Sequence, residues 1–370
     1  MKYVFPNYDN CLVNVVCSIE KYFNVNPKHK TIEKLDKILD KNKSKNVVLF
    51  LFDGLGYNLI CQNKEICPFL YSNIVDSISS VFPSTTMAAR TSIESGLNPV
   101  EHGWLGWDMY FKDFNKVITL SSNKVKGTDE LAANYHVANT LLKYDSVVNI
   151  INKTKKLTGK KYKIYSDNPL QSLKKIKWKL KLTTMFKKRS YIYVYYNEPD
   201  HTLHRYGTNS IEVKNYLKEI EIWFKKICKS LKNTTVIALA DHGHINVKYV
   251  NLKDYPNITK MLDGNIFIDD RATSFRVKKE YKKIFYYELK KILKDDFIIM
   301  TKDEVIKKKL YGTGIENKYF NQGLGDYFAI GVSNKAIRYD NKTKHHISAH
   351  SGLTLDEMLV PLIVVNSNDV

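Results

Sequence analysis

The chain has 370 residues, 44% of them hydrophobic, enough for one large domain or two ordinary ones around a sizeable core. No apolar run reaches the ~18 residues of a membrane-spanning helix, so no membrane partner is expected, and Met1 to Asn10 hold no apolar stretch with a small-residue cleavage site, so a cytoplasmic location is expected. The formal net charge of +20 suits a polyanion or a phosphorylated substrate, but Lys, Asn, Ile and Tyr are all frequent, as an AT-rich coding sequence gives, and no Arg-rich block or recognition helix points to nucleic acid specifically.

Residues 1–45 read as mostly helical. Cys11–Ile19 has helical apolar spacing, Pro27 closes that stretch, and Ile32, Leu35, Ile38 and Leu39 mark a second helix before a turn at 41–45. Asn46–Phe52 is a continuous apolar run ended by Asp53-Gly54, the pattern of a strand buried on both faces of a parallel sheet. Asp53 then stands at the strand's C-terminal end, where open α/β sheets bind ligands. The pattern recurs when Tyr191–Tyr196 runs into Asn197-Glu198-Pro199-Asp200, and Thr234–Ala240 into Asp241-His242-Gly243-His244.

Between the first two acids lies Ser79–Ile93, in which Pro83 is followed by Ser84, Thr85 and Thr86 and then by small residues. Hydroxyls there face the unpaired N–H groups of a helix start, and its partial positive charge suits an anion. Such a hydroxyl serves either as a cap or as a nucleophile. Ile211–Leu231 is a periodic helix. The Lys-rich 150–190 region reads as a strand near Lys163-Ile164-Tyr165 and then a solvated basic helix. Residues 251–344 read as a small α+β cap insertion, with strands at 272–277 and 327–332 and a helix at 281–289. The chain returns to the core through Met358–Val365. The expected fold is α/β, a doubly wound, mostly parallel sheet with helices on both faces, formed by 1–250 and 345–370.

Six side chains at strand ends and helix starts are candidate metal ligands: Asp53, Asp200, His204, Asp241, His242 and His350. Asp200 and His204 are four apart and share one helical face. Three carboxylates and three imidazoles suit divalent transition metals, zinc foremost. Six ligands plus a hydroxyl suit two ions, roughly 3.5–4 Å apart in phosphoryl-transfer sites. His102 is expected to be structural, His244 to lie behind the ligand set or exposed, and His345 and His346 to face solvent. Cys11, Cys17, Cys61, Cys67 and Cys228 follow no framework spacing and read as reduced thiols.

These motifs occur in one order. Asp53-Gly54, Phe82-Pro83-Ser84-Thr85-Thr86, Ser95-Gly96-Leu97-Asn98-Pro99-Val100-Glu101-His102-Gly103, Glu198-Pro199-Asp200 through His204 to Gly207, Ala240-Asp241-His242-Gly243 and His350-Ser351-Gly352-Leu353 resemble the alkaline phosphatase superfamily. Over about residues 46–245 and 345–366 the chain is most similar to the type I phosphodiesterase/nucleotide pyrophosphatase branch. The resemblance implies an alkaline-phosphatase-like core and two divalent ions, zinc with manganese as the alternative. Asp200, His204 and His350 would hold one, and Asp53, Asp241, His242 and the nucleophile the other. The family's nucleophilic threonine, in the pattern F-P-x-x-T, falls on Thr86, with Thr85 one residue off register. The implied reaction passes through a phospho-threonine, with net retention at phosphorus. The substrate is a small-molecule phosphodiester or a nucleotide. Alternatives are a phosphomonoesterase or phosphonate hydrolase of the same superfamily, favoured by a lysine cluster closing on a terminal phosphate, which the basic 150–190 stretch could supply, and a catalytically silent binding module, disfavoured by the intact ligands. One departure stands out: the family diesterases place an Asn 21 residues after the nucleophile, and here that residue is Trp107. The Thr86 N–H and Arg90 are the remaining donors to the phosphoryl oxygens. Trp104 and Trp107 either stack on a nucleobase or pack the sheet edge.

Overall fold

The computed structural model describes residues 2–164, 169–186, 188–340 and 345–370, so the expected strand end at Tyr165 lies outside the described residues. Among the described residues, the core is a six-stranded sheet of β1 (Asn46–Phe52), β2 (Ile74–Ser79), β3 (Leu157–Ile164), β4 (Arg189–Tyr196), β5 (Thr234–Ala240) and β6 (Leu359–Asn366), in the order β2-β6-β5-β1-β4-β3. β1 pairs in parallel with β4 and β5, and β3 with β4, whereas β6 runs antiparallel to β5 and β2. β1 and β5 are buried along their whole length, which is why both read as unbroken apolar runs. β3 lies at the edge and carries Lys160, Lys161 and Lys163 there, charges that keep an open edge from pairing with another chain.

Register carries the three acidic turns to one rim. Phe52 is level with Tyr196 on one side and Ala240 on the other, so Asp53, Asn197 and Asp241 leave the sheet side by side. The helices α1 (Thr86–Ser95) and α2 (Asp200–Tyr206) begin at the same end. The two N-terminal helices span Leu12–Tyr22 and Glu33–Asn42, and the long periodic helix spans Ile211–Ser230.

Among the described residues, a seven-stranded antiparallel sheet stands beside the core. It includes Ala272–Phe275 and Tyr327–Gly331 from the 251–344 span. It also takes in Asp108–Phe111, Lys116–Thr119 and Lys124–Val125, because Ile268 pairs with Asp108. Phe82, Trp104, Leu353 and Met358 pack in one apolar cluster with this sheet, which holds it against the threonine loop. A wholly buried ion pair adds a second tie: Arg271 Nε and Nη2 donate to the Glu357 oxygens at 2.6 and 2.7 Å. Glu357 also accepts from the Gly352 N–H at 2.7 Å, so the fork fixes the turn after His350.

Candidate active site

The candidate ligands converge in two groups. Asp53, Asp241 and His242 form one, and Asp200, His204, His244 and His350 the other; within each, one ligand atom per residue lies within 4.8 Å of the rest. The turns that carry them are tight. Gly54 has φ +76°, and a Cβ there would come within 3.0 Å of Asp200 Cα and of His244 Nε2. A Cβ on Gly243 would stand 1.9 Å from the Asp356 carbonyl oxygen.

Thr85 and Thr86 part company at the helix start. Thr85 is the N-cap residue of α1, yet its hydroxyl caps nothing and donates to Asp269 Oδ2 at 2.7 Å. Thr86 Oγ1 lies 3.3 Å from Asp53 Oδ1 and 3.2 Å from His242 Nε2. In the second group, Asp200 Oδ1 lies 2.8, 3.3 and 3.7 Å from Nε2 of His244, His204 and His350.

The donor sets fit divalent cations. His204, His242 and His350 each direct Nδ1–H to a backbone carbonyl, of Ser348 at 2.7 Å, Gly243 at 3.2 Å and Ser84 at 3.1 Å. That fixes the tautomer and turns each Nε2 lone pair inward, as metal-binding histidines are held. Asp241 Oδ1 accepts from the N–H groups of Gly54 and His242, both at 3.0 Å, while its Oδ2 is buried with no hydrogen-bond partner. A buried carboxylate oxygen left bare is costly unless a cation faces it.

Electrostatics agree. Burial, and then the charge of Asp53, push the Asp241 carboxyl well above its ordinary range. Burial works against a charged His242, but Asp241 and Asp53 outweigh it and raise its pKa to about 10. Burial also opposes charge on Asp200, yet His204 and His244 hold it well below the carboxylate range. A buried, crowded acid such as Asp241, which takes up a proton in the absence of metal, is what a cation-binding site looks like from the protein side.

A cavity of about 1130 Å³ opens over the Thr86 side and is lined by Asp53, Thr86, Arg90, Trp104, Trp107 and Asp200, among others. The Trp104 indole N–H donates to the Leu142 carbonyl at 3.0 Å, and the ring is nearly buried. Arg90 Nε donates to Glu94 Oε1 at 2.8 Å, and its guanidinium lies 4.4 Å from the centre of the Tyr195 ring. The Tyr195 hydroxyl donates to Asp53 Oδ2. Glu94 also binds Lys161 Nζ at 2.6 Å, and Lys161 and Lys163 line the same cavity.

His244 is buried with its Nε2 2.8 Å from Asp200 Oδ1, behind the ligand set, which is one of its two expected places; His346 stands elsewhere than expected. His346 is half-buried, its ring centre 4.2 Å from that of His204. His345 is exposed, within 3.0 Å of an Arg338 nitrogen. His102 is buried, accepts from the Trp104 N–H at 3.0 Å and lies 3.0 Å from the Ser92 hydroxyl, a structural role; burial lowers its pKa to about 3. Tyr195 and Glu94 escaped the sequence reading, whereas Lys161 lies in the basic stretch expected to offer lysines to a phosphate; Glu94 carried one signal, its i,i+4 spacing from Arg90.

A family model described as type I phosphodiesterase / nucleotide pyrophosphatase matches residues 47–352. No curated protein sequence matches the chain. Among solved structures, mouse ectonucleotide pyrophosphatase/phosphodiesterase 5 is similar with a TM-score of 0.67 at 14% identity, over 85% of this chain and 87% of that one. An inactive variant of the mouse protein, in complex with AMP, gives a TM-score of 0.65 at 14% identity over the same shares. The human protein gives 0.66 at 13% identity, over 86% and 87%.

Proposed function

The chain belongs to the type I phosphodiesterase / nucleotide pyrophosphatase family, and from that premise we propose that it hydrolyses phosphodiester or phosphoanhydride bonds of nucleotides through a phospho-threonine on Thr86. The observation that carries the reading is the Thr86 hydroxyl, at a helix start, within 3.3 Å of both Asp53 and His242 and open to the cavity. The mouse structure holding AMP supports a nucleotide as the substrate class.

Asp53, Asp241, His242 and Thr86 would hold one divalent ion, and Asp200, His204 and His350, with His244 beside them, the other; zinc suits these nitrogen and oxygen donors best, with manganese the alternative. When bound, such ions acidify a hydroxyl or a water and draw charge off the phosphoryl oxygens. Thr86 Oγ1 loses its proton to solvent and attacks phosphorus in line; the bond from phosphorus to the leaving oxygen breaks, and that oxygen departs with the electron pair and takes a proton from solvent. Water then attacks the phospho-threonine from the opposite side, the bond from phosphorus to Thr86 Oγ1 breaks, and one water proton passes to Oγ1 while the other stays on the released phosphate. Arg90 and the Thr86 N–H, at the positive end of α1, receive charge on the phosphoryl oxygens in place of the family Asn. Trp104 and Trp107 offer a wall for the base. The five free cysteines support a cytoplasmic location as part of this reading.

A phosphomonoesterase is the second reading, favoured by Lys161 and Lys163 in the cavity wall. Rates on bis-p-nitrophenyl phosphate and p-nitrophenyl phosphate, with zinc-loaded protein, separate the two. The diester is expected to be the faster substrate, and Thr86→Ala to lower that rate more than about a thousandfold while Thr85→Ala does not. A monoester cleaved far faster would overturn the diesterase reading; full turnover by Thr86→Ala would overturn the nucleophile.

A further inference from the structure

The helix Pro169–Met185 carries two apolar stripes on opposite sides. Leu173, Ile176, Leu180, Thr183 and Thr184 are buried, where the helix packs on β3, β4 and the helix Ile211–Ser230. Trp178, Leu182, Met185 and, just past the end, Phe186 follow the spacing i, i+4, i+7, i+8 and so share one face. They are 64%, 43%, 79% and 61% exposed. At about 100° per residue, the centre of this stripe lies roughly 170° around the helix from the buried one. An ordinary surface helix is polar there.

Lysines bracket the exposed stripe. On the same wheel Lys174 and Lys181 flank one edge, and Lys175 and Lys179 the other, and all four are exposed. No acidic residue occurs between Asp167 and Glu198. A convex ridge of Trp, Leu, Met and Phe between rows of cations matches a surface that is apolar within and anionic at its boundary. From Trp178 to Phe186 the ridge is about 12 Å long, enough to seat its side chains at the headgroup level. No helix among the described residues is long and apolar enough to cross a membrane, so the contact is one of lying on the bilayer.

We propose that this face docks the protein on an anionic lipid bilayer, with Trp178, Leu182, Met185 and Phe186 entering the interface and the flanking lysines pairing with lipid phosphates. Each lysine near such a surface strengthens binding roughly fivefold, and salt weakens the attraction. The test is co-sedimentation of the full chain with vesicles of phosphatidylcholine, alone or mixed with phosphatidylserine, at low and high salt. Binding is expected to the mixed vesicles only, and to fall with salt. Trp178→Ser/Phe186→Ser and, separately, Lys174→Glu/Lys181→Glu should each weaken it more than about tenfold, with the wild-type circular dichroism and melting profile retained. The proposal is overturned by wild-type protein that partitions no better to mixed vesicles than to phosphatidylcholine alone, or by both variants binding as wild type does. It is equally overturned if the chain self-associates without lipid in sedimentation velocity and Trp178→Ser/Phe186→Ser abolishes that, for the face would then seat a second copy.

Discussion

Replacing Tyr195 by Phe removes a single hydroxyl from the Asp53 group and leaves the ring in place. That hydroxyl is buried and donates to Asp53 Oδ2, while Asp53 Oδ1 faces Thr86 and His242. Burial, and then the charge of Asp53, push the phenol far above its ordinary pKa, so it is a permanent donor. A hydrogen bond to a charged group contributes about 1.5–3 kcal/mol, which corresponds to about 10–150-fold in an equilibrium constant. Loss of a hydrogen bond that orients a metal-binding carboxylate costs about 10–100-fold in metal affinity or activity, the same range. Calorimetric titration of cation-free Tyr195→Phe with zinc should therefore show the Asp53 group weakened about 10–100-fold and the Asp200 group unchanged. Turnover should fall in step. The stack of Arg90 on the ring, at 4.4 Å, survives the substitution, so lost packing does not account for the effect. Zinc affinity and turnover both within about twofold of wild type would refute the view that Tyr195 sets the Asp53 carboxylate.

His244→Ala should weaken cation binding in the Asp200 group about 10–100-fold and spare the Asp53 group, read from the same titration. Glu357→Gln leaves the buried Arg271 guanidinium without its counter-charge; urea unfolding should show a loss of about 3–5 kcal/mol, and a midpoint and slope equal to wild type would show that the pair does not hold the fold. Burial raises the Glu20 pKa from 4.5 to about 7, so the folded protein holds this proton more tightly than the unfolded chain. The neutral form's contribution to stability is complete below about pH 4.5 and is lost as pH rises through about 7, at most about 3 kcal/mol. Glu20→Gln should flatten that part of the stability–pH curve, and parallel curves for the two proteins would show that Glu20 is not its source.

Some elements were readable because burial on both faces leaves a mark in sequence. β1 and β5 run over the expected residues, Asn46–Phe52 and Thr234–Ala240, since a central parallel strand must be apolar throughout. The second sheet was readable only in part. Its strands at 108–125 are two to four residues long and depend on the distant Ile268 for their partner. Tyr195 lay hidden because it sits within an apolar strand and shows its polar end only where β4 meets Asp53. His346 read as solvent-facing because its neighbour in space is His204, far off in the chain.

By itself the sequence determined the alternation of strands and helices, the acids at strand ends and the threonine at a helix start, because each depends on neighbours within a few residues. The tertiary structure alone decided which side chains meet. Register between β1, β4 and β5 sets Asp53, Asn197 and Asp241 level, and the close pass of Gly54 against Asp200 brings His244 into the second group. It also decided which hydroxyl turns toward Asp53: Thr85 is still in extended backbone, with φ −137° and ψ 147°, and turns to Asp269, whereas Thr86 begins the helix and turns to the carboxylate and imidazole.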